Sequence, residues 1–305
     1  MTIQVSGSIA YDIILDYPGK FSDQVDPGKI HSLNLSFPVD EVKKTVGGTA
    51  ANIAYNLRLL DMDVAMIGAV GKDGLELIEK YKKMKIDMSL AKVSKRHNTA
   101  AGYIMTDRED NQINAFYGGA MNEKAALPKL NSCDWPIIAA ENPDNMARLA
   151  RHYQRLKVRY IFDPGQALFA LDKKRLEVCV RGAGILIGND YEIALILKIL
   201  RVKKVSPVIY RTLGAKGSEV VFPNGKTKKI KAVKAKKVID PTGAGDAYRA
   251  GMIKGIASGL DLVRAGQLGA TAAAFAVEKK GTQNHKFDYG IIVKRHNQNF
   301  LRKIL

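Results

Sequence analysis

Short apolar runs alternate with longer amphipathic segments along most of this chain. Residues 3–9, 64–70 and 208–212 have the apolar composition of buried strands, whereas residues 49–60 and 75–84 have helical periodicity. Further strands are predicted at 136–140, 158–163 and 184–188, and further helices at 144–157, 247–256 and 268–277. Strands that alternate with helices are typical of a parallel sheet covered on both faces. The pattern therefore predicts a doubly wound α/β fold with a mostly parallel sheet.

Two stretches depart from this rhythm. Residues 16–46 alternate short apolar runs with Gly, Pro and Asp, and residues 99–107 and 112–117 are joined by the polar turn 108–111. Turn-rich alternation of this kind is typical of β-hairpins. We therefore expect these stretches to form a second, smaller sheet.

The chain has 305 residues, of which 46% are hydrophobic, enough for one large α/β domain or two ordinary ones. It has no run of about 18 apolar residues and no signal-peptide pattern at its start, so we expect a cytoplasmic protein without a membrane segment. Cys133 and Cys179 lack metal-ligand spacing. We expect both cysteines to be reduced thiols.

The formal net charge of +18 raises the possibility of nucleic-acid binding, because clustered lysines neutralise phosphate backbones. Seven of the lysines fall within residues 226–237, where they alternate with apolar side chains as in an exposed hairpin or edge strand. The chain has neither zinc-finger spacing nor an aromatic RNA-binding signature. Nucleic acid is therefore not the expected partner, and the basic surface is better suited to attracting a nucleotide.

Residues 238–251 carry the most informative motif. Gly243, Ala244 and Gly245 have little or no side chain and precede a predicted helix, so their N–H groups and the helix N-terminus can surround an anion. Asp246 follows them, and a carboxylate beside a phosphate site can take the proton of an attacking hydroxyl. The alternative is a glycine-rich turn in which Asp246 caps the helix.

Residues 240–247 resemble the C-terminal signature of the ribokinase-like carbohydrate kinases, the phosphofructokinase B family. Residues 47–54 resemble the N-terminal signature of that family, and residues 189–192 resemble its Asn-x-x-Glu magnesium and phosphate motif. The resemblance extends from Gly7 to about His285. It implies a single ribokinase-like kinase domain over residues 1–305, with a small β-sheet lid formed by about 13–46 and 98–118.

The resemblance also implies roles for individual residues. Asp246 would be the catalytic base, and the amides of Gly243, Ala244 and Gly245 would stabilise the transferring phosphoryl group. The implied substrate-binding residues are Asp12, Ser36, Gly48, Asn52, Tyr103, Phe116 and Gln166. The implied nucleotide-binding residues are Asn189, Thr212, Gly214, Lys216, Gly217 and Gln283. ATP and magnesium would be the cofactors, with magnesium near Glu192 through water, and potassium could bind at Asp240 and Thr242.

The amino-acid sequences of the lid segments resemble those of prokaryotic adenosine and nucleoside kinases more than those of ribokinases. Tyr103 and Phe116 offer aromatic faces for a base. Gly102, by contrast, stands where the resemblance to adenosine kinases implies an aromatic residue that stacks on the base. This difference counts against strict adenosine specificity. The expected activity is phosphorylation of a nucleoside, adenosine foremost, at its 5′-hydroxyl, by an enzyme that dimerises through the lid. Two alternatives stay open: a kinase for ribose or a sugar phosphate, and an inactive ligand-binding protein.

Overall fold

The computed structural model describes residues 1–25, 28, 34–130, 135–301, 303 and 304. Its strands, in chain order, are β1 (Thr2–Ser6), β2 (Ala10–Asp16), β3 (Glu41–Gly47), β4 (Asp63–Val70), β5 (Ile86–Asp87), β6 (Ala91–Val93), β7 (Ala100–Thr106), β8 (Gln112–Tyr117), β9 (Ile137–Ile138), β10 (Tyr160–Phe162), β11 (Ala183–Asn189), β12 (Val208–Thr212), β13 (Ser218–Val221) and β14 (Thr227–Ile230).

The helices follow the strands as the alternating pattern predicts. They are α1 (Thr49–Leu59), α2 (Leu75–Lys83), α3 (Pro143–Arg155), α4 (Lys173–Arg181), α5 (Asp190–Leu200), α6 (Ala244–Ala257), α7 (Leu262–Ala276) and α8 (Tyr289–Asn299). Within the described residues, no helix is both long and apolar enough to cross a membrane.

The large sheet has the strand order β14-β13-β12-β11-β10-β9-β1-β4-β5, and β6 also pairs with β4. Its strands are parallel from β12 to β5, and β13 and β14 are added antiparallel at one edge. The predicted mostly parallel sheet is confirmed. Within the lysine-rich segment 226–237, for which the sequence predicts an exposed hairpin or an edge strand, Thr227–Ile230 form the edge strand β14.

Apolar side chains on both faces of this sheet explain why its strands read as continuous hydrophobic runs. In β11, Ile185 and Ile187 face one core cluster while Leu186 faces the other. The first cluster includes side chains of α1, α6 and α7, and the second includes side chains of α3, α4 and α5. Alternate residues of a strand point to opposite faces, so helices must cover both sides. This arrangement is the doubly wound layering that the sequence predicts.

The small sheet has the strand order β3-β2-β7-β8 and corresponds to the predicted lid. Its two antiparallel hairpins, β2–β3 and β7–β8, are joined by parallel pairing of β2 with β7. The first lid strand begins at Ala10, earlier than predicted, because residues 7–9 end β1 and turn directly into β2. Asp12 consequently lies on a strand and not in the loop after β1.

The structure also locates one of the two cysteines. Cys179 is a free thiol in α4, and burial raises its pKa to about 12, so the thiol form persists at neutral pH. Cys133 lies outside the described residues, and the expectation for its thiol stays a prediction.

Candidate active site

The glycine-rich motif ends at the N-terminus of α6, which begins three residues earlier than predicted. Gly243 is the N-cap residue and has φ +78°, a left-handed conformation that a side chain would strain. A Cβ on Gly243 would also lie 3.1 Å from Thr282. The first turn of a 14-residue helix leaves its N–H groups without intrahelical partners. This turn can therefore hold an anion.

Asp246 lies in that first turn and is partly buried. The Asn52 side chain, on α1, donates a hydrogen bond of 2.9 Å to Oδ2 of Asp246. Burial raises the pKa of Asp246 from its usual 3.8 to about 7; Arg249 and Asn52 oppose the rise, and Asp163 and Asp12 add to it. A carboxyl group with this pKa can gain and lose a proton at neutral pH.

Asp12 faces this region from the lid strand β2. Its register partners are Thr45 on β3 and Gly102 on β7. A Cβ on Gly47 would collide with the carboxylate of Asp12, so the glycine provides the space that this side chain occupies. Burial raises the pKa of Asp12.

Gly48 starts α1 with φ +94°, and a Cβ there would lie 2.5 Å from the Ser8 carbonyl oxygen. The chain can pass so close to the end of β1 only because this residue is glycine. Helix α1 then carries Asn52 toward Asp246. The two signatures predicted from separate parts of the chain therefore meet in space.

The lid register separates the two predicted aromatic residues. Phe116 pairs with Gly102, which pairs with Asp12, so these three residues share one face of the lid. Tyr103 is the neighbour of Gly102 on β7 and points to the opposite face, because strand side chains alternate. The register does not support the assignment of Tyr103 to the substrate site, which stays a prediction. Phe116 is 59% exposed and remains available to a ligand.

Two further residues of the predicted acceptor site have no described contact with Asp12, Asn52 or Asp246. Ser36 is exposed in the segment between the undescribed residues and β3. Gln166 is exposed just after β10, three residues beyond Asp163. Their roles stay predictions.

A buried ion pair beneath the anion site was not predicted from the sequence. Arg249, one turn after Asp246 on α6, donates hydrogen bonds to both carboxylate oxygens of Asp163, with Nη2 at 2.7 Å from Oδ1. A Cβ on Gly245 would lie 2.7 Å from Nη1 of Arg249, so this glycine makes room for the guanidinium. The available signal was an arginine in the otherwise small and apolar run 247–253.

The predicted nucleotide residues gather at the carboxyl ends of β11 and β12. Asn189 and Thr212 are register partners there. Gly214 and Lys216 lie exposed in the turn after β12, and Gly217 closes that turn. Ligands of open α/β sheets bind at this edge of the sheet. These positions are compatible with the predicted nucleotide site.

Asn189 and Glu192 form a capping box at the start of α5. The Asn189 side chain accepts from the Glu192 N–H, and Glu192 Oε2 accepts from the Asn189 N–H, both at 2.8 Å. Burial raises the pKa of Glu192. Among the described residues, no group of three or more Asp, Glu, His and Cys side chains could hold a metal ion. One carboxylate and one carboxamide fit a magnesium ion that is held mainly by phosphate oxygens and water.

Asp240 lies between two backbone donors. Its Oδ1 accepts from the Thr242 N–H at 2.9 Å and its Oδ2 from the Gly281 N–H at 2.8 Å. Burial disfavours the ionised form, but these hydrogen bonds outweigh it and hold the pKa of Asp240 below its usual value. An ionised carboxylate with free lone pairs fits the predicted monovalent cation.

Gln283 was predicted to bind the nucleotide, and its described contacts are on the acceptor side. Its amide donates to Asn52 Oδ1 at 3.0 Å and to the Tyr81 hydroxyl at 3.1 Å. The nucleotide role stays a prediction that these contacts do not support.

A family model for the pfkB family carbohydrate kinases matches residues 5–287. The chain belongs to this family. It is 33% identical over 272 residues to the nucleoside kinase of Methanocaldococcus jannaschii, covering 86% of this chain and 89% of that protein. The predicted family and a phosphotransferase acting on a hydroxyl group are confirmed.

Solved structures extend the similarity to the whole fold. The nucleoside kinase of Burkholderia thailandensis in complex with inosine has a TM-score of 0.86 and 30% identity, with 99% of each chain covered. The same protein in complex with ADP-inosine has a TM-score of 0.83 and 31% identity, covering 99% of this chain and 97% of that one. The predicted ribokinase-like fold with a separate small sheet is confirmed.

Proposed function

We propose that this pfkB-family enzyme is an ATP-dependent nucleoside kinase that phosphorylates the 5′-hydroxyl of adenosine and of other nucleosides. The observation that carries the proposal is the row of Asp12, Gly102 and Phe116 across one lid face. Neighbouring strands are about 4.8 Å apart, so Asp12 and Phe116 lie on the order of 10 Å apart across two strand spacings. That span suits a ribose at Asp12 and a base against Phe116.

The acceptor would be held by its hydroxyls. A carboxylate such as Asp12 can accept two hydrogen bonds from a vicinal diol, and Asn52 adds a second polar contact. The missing side chain at Gly102 leaves room for a base between Asp12 and Phe116. Stacking on one aromatic ring tolerates any base, so we expect broad base selectivity. The inosine bound to the Burkholderia relative is consistent with this expectation.

Transfer would occur at the N-terminus of α6. Asp246, with a pKa of about 7, takes the proton of the 5′-hydroxyl as it attacks the γ-phosphorus of ATP. The N–H groups of residues 243–245 and the helix dipole stabilise the charge on the transferring group. The lid excludes water, which would otherwise compete as an acceptor.

Magnesium held near Asn189 and Glu192 through water would neutralise charge on the ATP phosphates. Potassium at Asp240 and Thr242 would reinforce the positive field of the anion site. The Burkholderia relative in complex with ADP-inosine supports an adenine nucleotide as a ligand of this enzyme. We expect kinase activity to depend on the divalent ion.

Two other functions fit the fold less well. A ribose or sugar phosphate kinase would keep Asp12, Asn52 and Asp246 but would not need the exposed ring of Phe116. An inactive binding protein would not need a partly buried acid with a pKa of about 7 beside an anion site. Both alternatives are separated from a nucleoside kinase by turnover measurements.

The first prediction concerns the acceptor. With magnesium ATP, kcat/KM for adenosine and inosine should exceed kcat/KM for ribose and fructose 6-phosphate, because base stacking contributes roughly 1 to 3 kcal/mol that a bare sugar lacks. A steady-state panel that also includes guanosine and cytidine measures this ratio. A higher kcat/KM for ribose or fructose 6-phosphate than for every nucleoside would overturn the nucleoside assignment.

Three lid variants locate the contacts. Phe116→Ala should lower kcat/KM for nucleosides and leave kcat/KM for ribose unchanged. Tyr103→Ala is its matched control on the opposite lid face and should leave both unchanged. Asp12→Ala should suppress every acceptor, since each must present hydroxyls to that carboxylate.

The second prediction is a homodimer through the outer lid face, which carries the exposed side chains of Val42, Tyr103 and Ile113 (60%, 42% and 46% exposed). An apolar sheet face of this kind is a candidate for burial against a second copy. Sedimentation at micromolar concentration should give twice the chain mass of 33.4 kDa. Ile113→Lys should shift the protein to monomer, whereas Ile291→Lys, an exposed residue of α8, should not. A wild-type monomer would contradict the prediction.

A further inference from the structure

A chain of hydrogen bonds leads away from Asp246 through two carboxamides to a lysine. Asn52 Nδ2 donates to Asp246 at 2.9 Å, and Gln283 Nε2 donates to Asn52 Oδ1 at 3.0 Å. Lys80 Nζ, on α2, donates to Gln283 Oε1 at 3.0 Å. Four residues from four separate parts of the sequence therefore form one connected relay.

The direction of this relay is set by its lysine end. An ammonium group can only donate, so Gln283 must present its oxygen to Lys80 and its NH₂ to Asn52. Asn52 must then present its own oxygen to Gln283, which turns its NH₂ toward Asp246. The Tyr81 hydroxyl, which also contacts Gln283, can donate or accept and does not oppose this direction.

We propose that Lys80 and Gln283 are positioning residues that fix the Asn52 carboxamide with its NH₂ group on Asp246. This inference rests on the proposed function, in which Asp246 is the base of the phosphoryl transfer. The second N–H of the Asn52 amide is left for an acceptor hydroxyl. The relay thus aligns base and acceptor through a side chain that could otherwise rotate by half a turn.

The relay works against a strong opposing effect. Asp246 is partly buried, and the carboxylates of Asp163 and Asp12 face it from the end of β10 and from β2. On its own helix, Arg249 is the one facing cation among the described groups that shift its pKa. A donor from Asn52 favours the ionised base, whereas an inverted Asn52 would present an oxygen and favour the protonated acid. Orientation of one amide therefore changes the fraction of active base at neutral pH.

Gln283→Glu tests the relay with almost no change of shape. The glutamate can accept from Lys80 and from Asn52, so Asn52 should turn its NH₂ toward residue 283 and its oxygen toward Asp246. The ionised base is then disfavoured, and the apparent pKa in the pH profile of kcat/KM should rise by about one unit or more. With a starting pKa of about 7, a rise of one unit lowers the ionised fraction at pH 7 by about fivefold, and the loss should recover as pH rises toward 9.

Two further variants separate orientation from charge. Asn284→Asp adds the same charge one residue away on an exposed side chain that bonds the Lys280 carbonyl, and it should move the profile much less. Lys80→Met removes the donor that sets the direction and should shift the profile in the same direction as Gln283→Glu, but by less. Gln283→Met serves the same purpose if the glutamate variant does not fold.

The outcomes distinguish this inference from the function on which it rests. If Asp246→Asn keeps its turnover, the proposed base is wrong. If Asp246→Asn is inactive while folded Gln283→Glu or Gln283→Met keeps the wild-type pH profile, the relay does not position the base. An equal shift in Asn284→Asp would show a general charge effect and would likewise contradict the relay.

Discussion

Asp246→Asn should reduce turnover on the order of 10² to 10⁴-fold, the usual contribution of a general base, while nucleoside and ATP binding persist. Asparagine has nearly the same shape and can still accept from Asn52, but it cannot take the proton of the attacking hydroxyl. Steady-state kcat with magnesium ATP, together with calorimetric binding of each substrate, measures the effect. Turnover close to wild type would remove the assigned role.

The same variant has a predicted effect on stability. Burial raises the pKa of Asp246 from 3.8 to about 7, so the folded protein holds a proton that the unfolded chain releases between these values. This stabilising contribution is complete below pH 3.8 and is lost as pH rises through about 7. The asparagine of Asp246→Asn does not titrate, so the variant lacks this pH-dependent loss of stability. Its free energy of unfolding in urea, relative to wild type, should therefore increase as pH rises from 3.8 to about 7. Wild-type activity should rise over the same interval as the base ionises.

The fold was largely predictable because its signals are local and repeated. The apolar runs of β4 and β12 and the hairpin β7–β8 lie where the pattern predicts them. The start of the lid was predicted too late because β1 and β2 are separated by only three residues, residues 7–9, with no longer loop between them.

The candidate site was predictable where its glycines and its acidic residue lie next to each other in one segment, as in residues 243–246. It was not predictable where strand register decides the outcome, since Tyr103 and Gly102 are neighbours in sequence and lie on opposite faces of the lid. The relay partners Lys80 and Gln283 are separated by 203 positions, and no pattern along the chain joins them. Such contacts form because α1 and α2 pack against the segment around Gln283, which follows α7.

Arg249→Met should strongly destabilise the protein, because Asp163 is only 2% exposed and would lose both of its hydrogen-bond donors. Removing one partner of a buried ion pair costs about 3 to 5 kcal/mol, most of it from the charge left behind. Urea unfolding measures the change in free energy. Arg175→Met is the matched control, since it breaks only exposed pairs, with Asp144 and Asp172, and should have little effect on stability.

A compensating change identifies the cause. In Arg249→Met combined with Asp163→Leu, the Asp163 carboxylate is no longer left unpaired, so most of the lost stability should return. Activity at neutral pH should return only in part, because Arg249 opposes the rise of the Asp246 pKa more strongly than Asp163 adds to it, and both are lost. If Arg249→Met is as stable as Arg175→Met, the ion pair does not support the fold. If the double variant regains full turnover as well as stability, the ion pair has no net effect on the ionisation of the base.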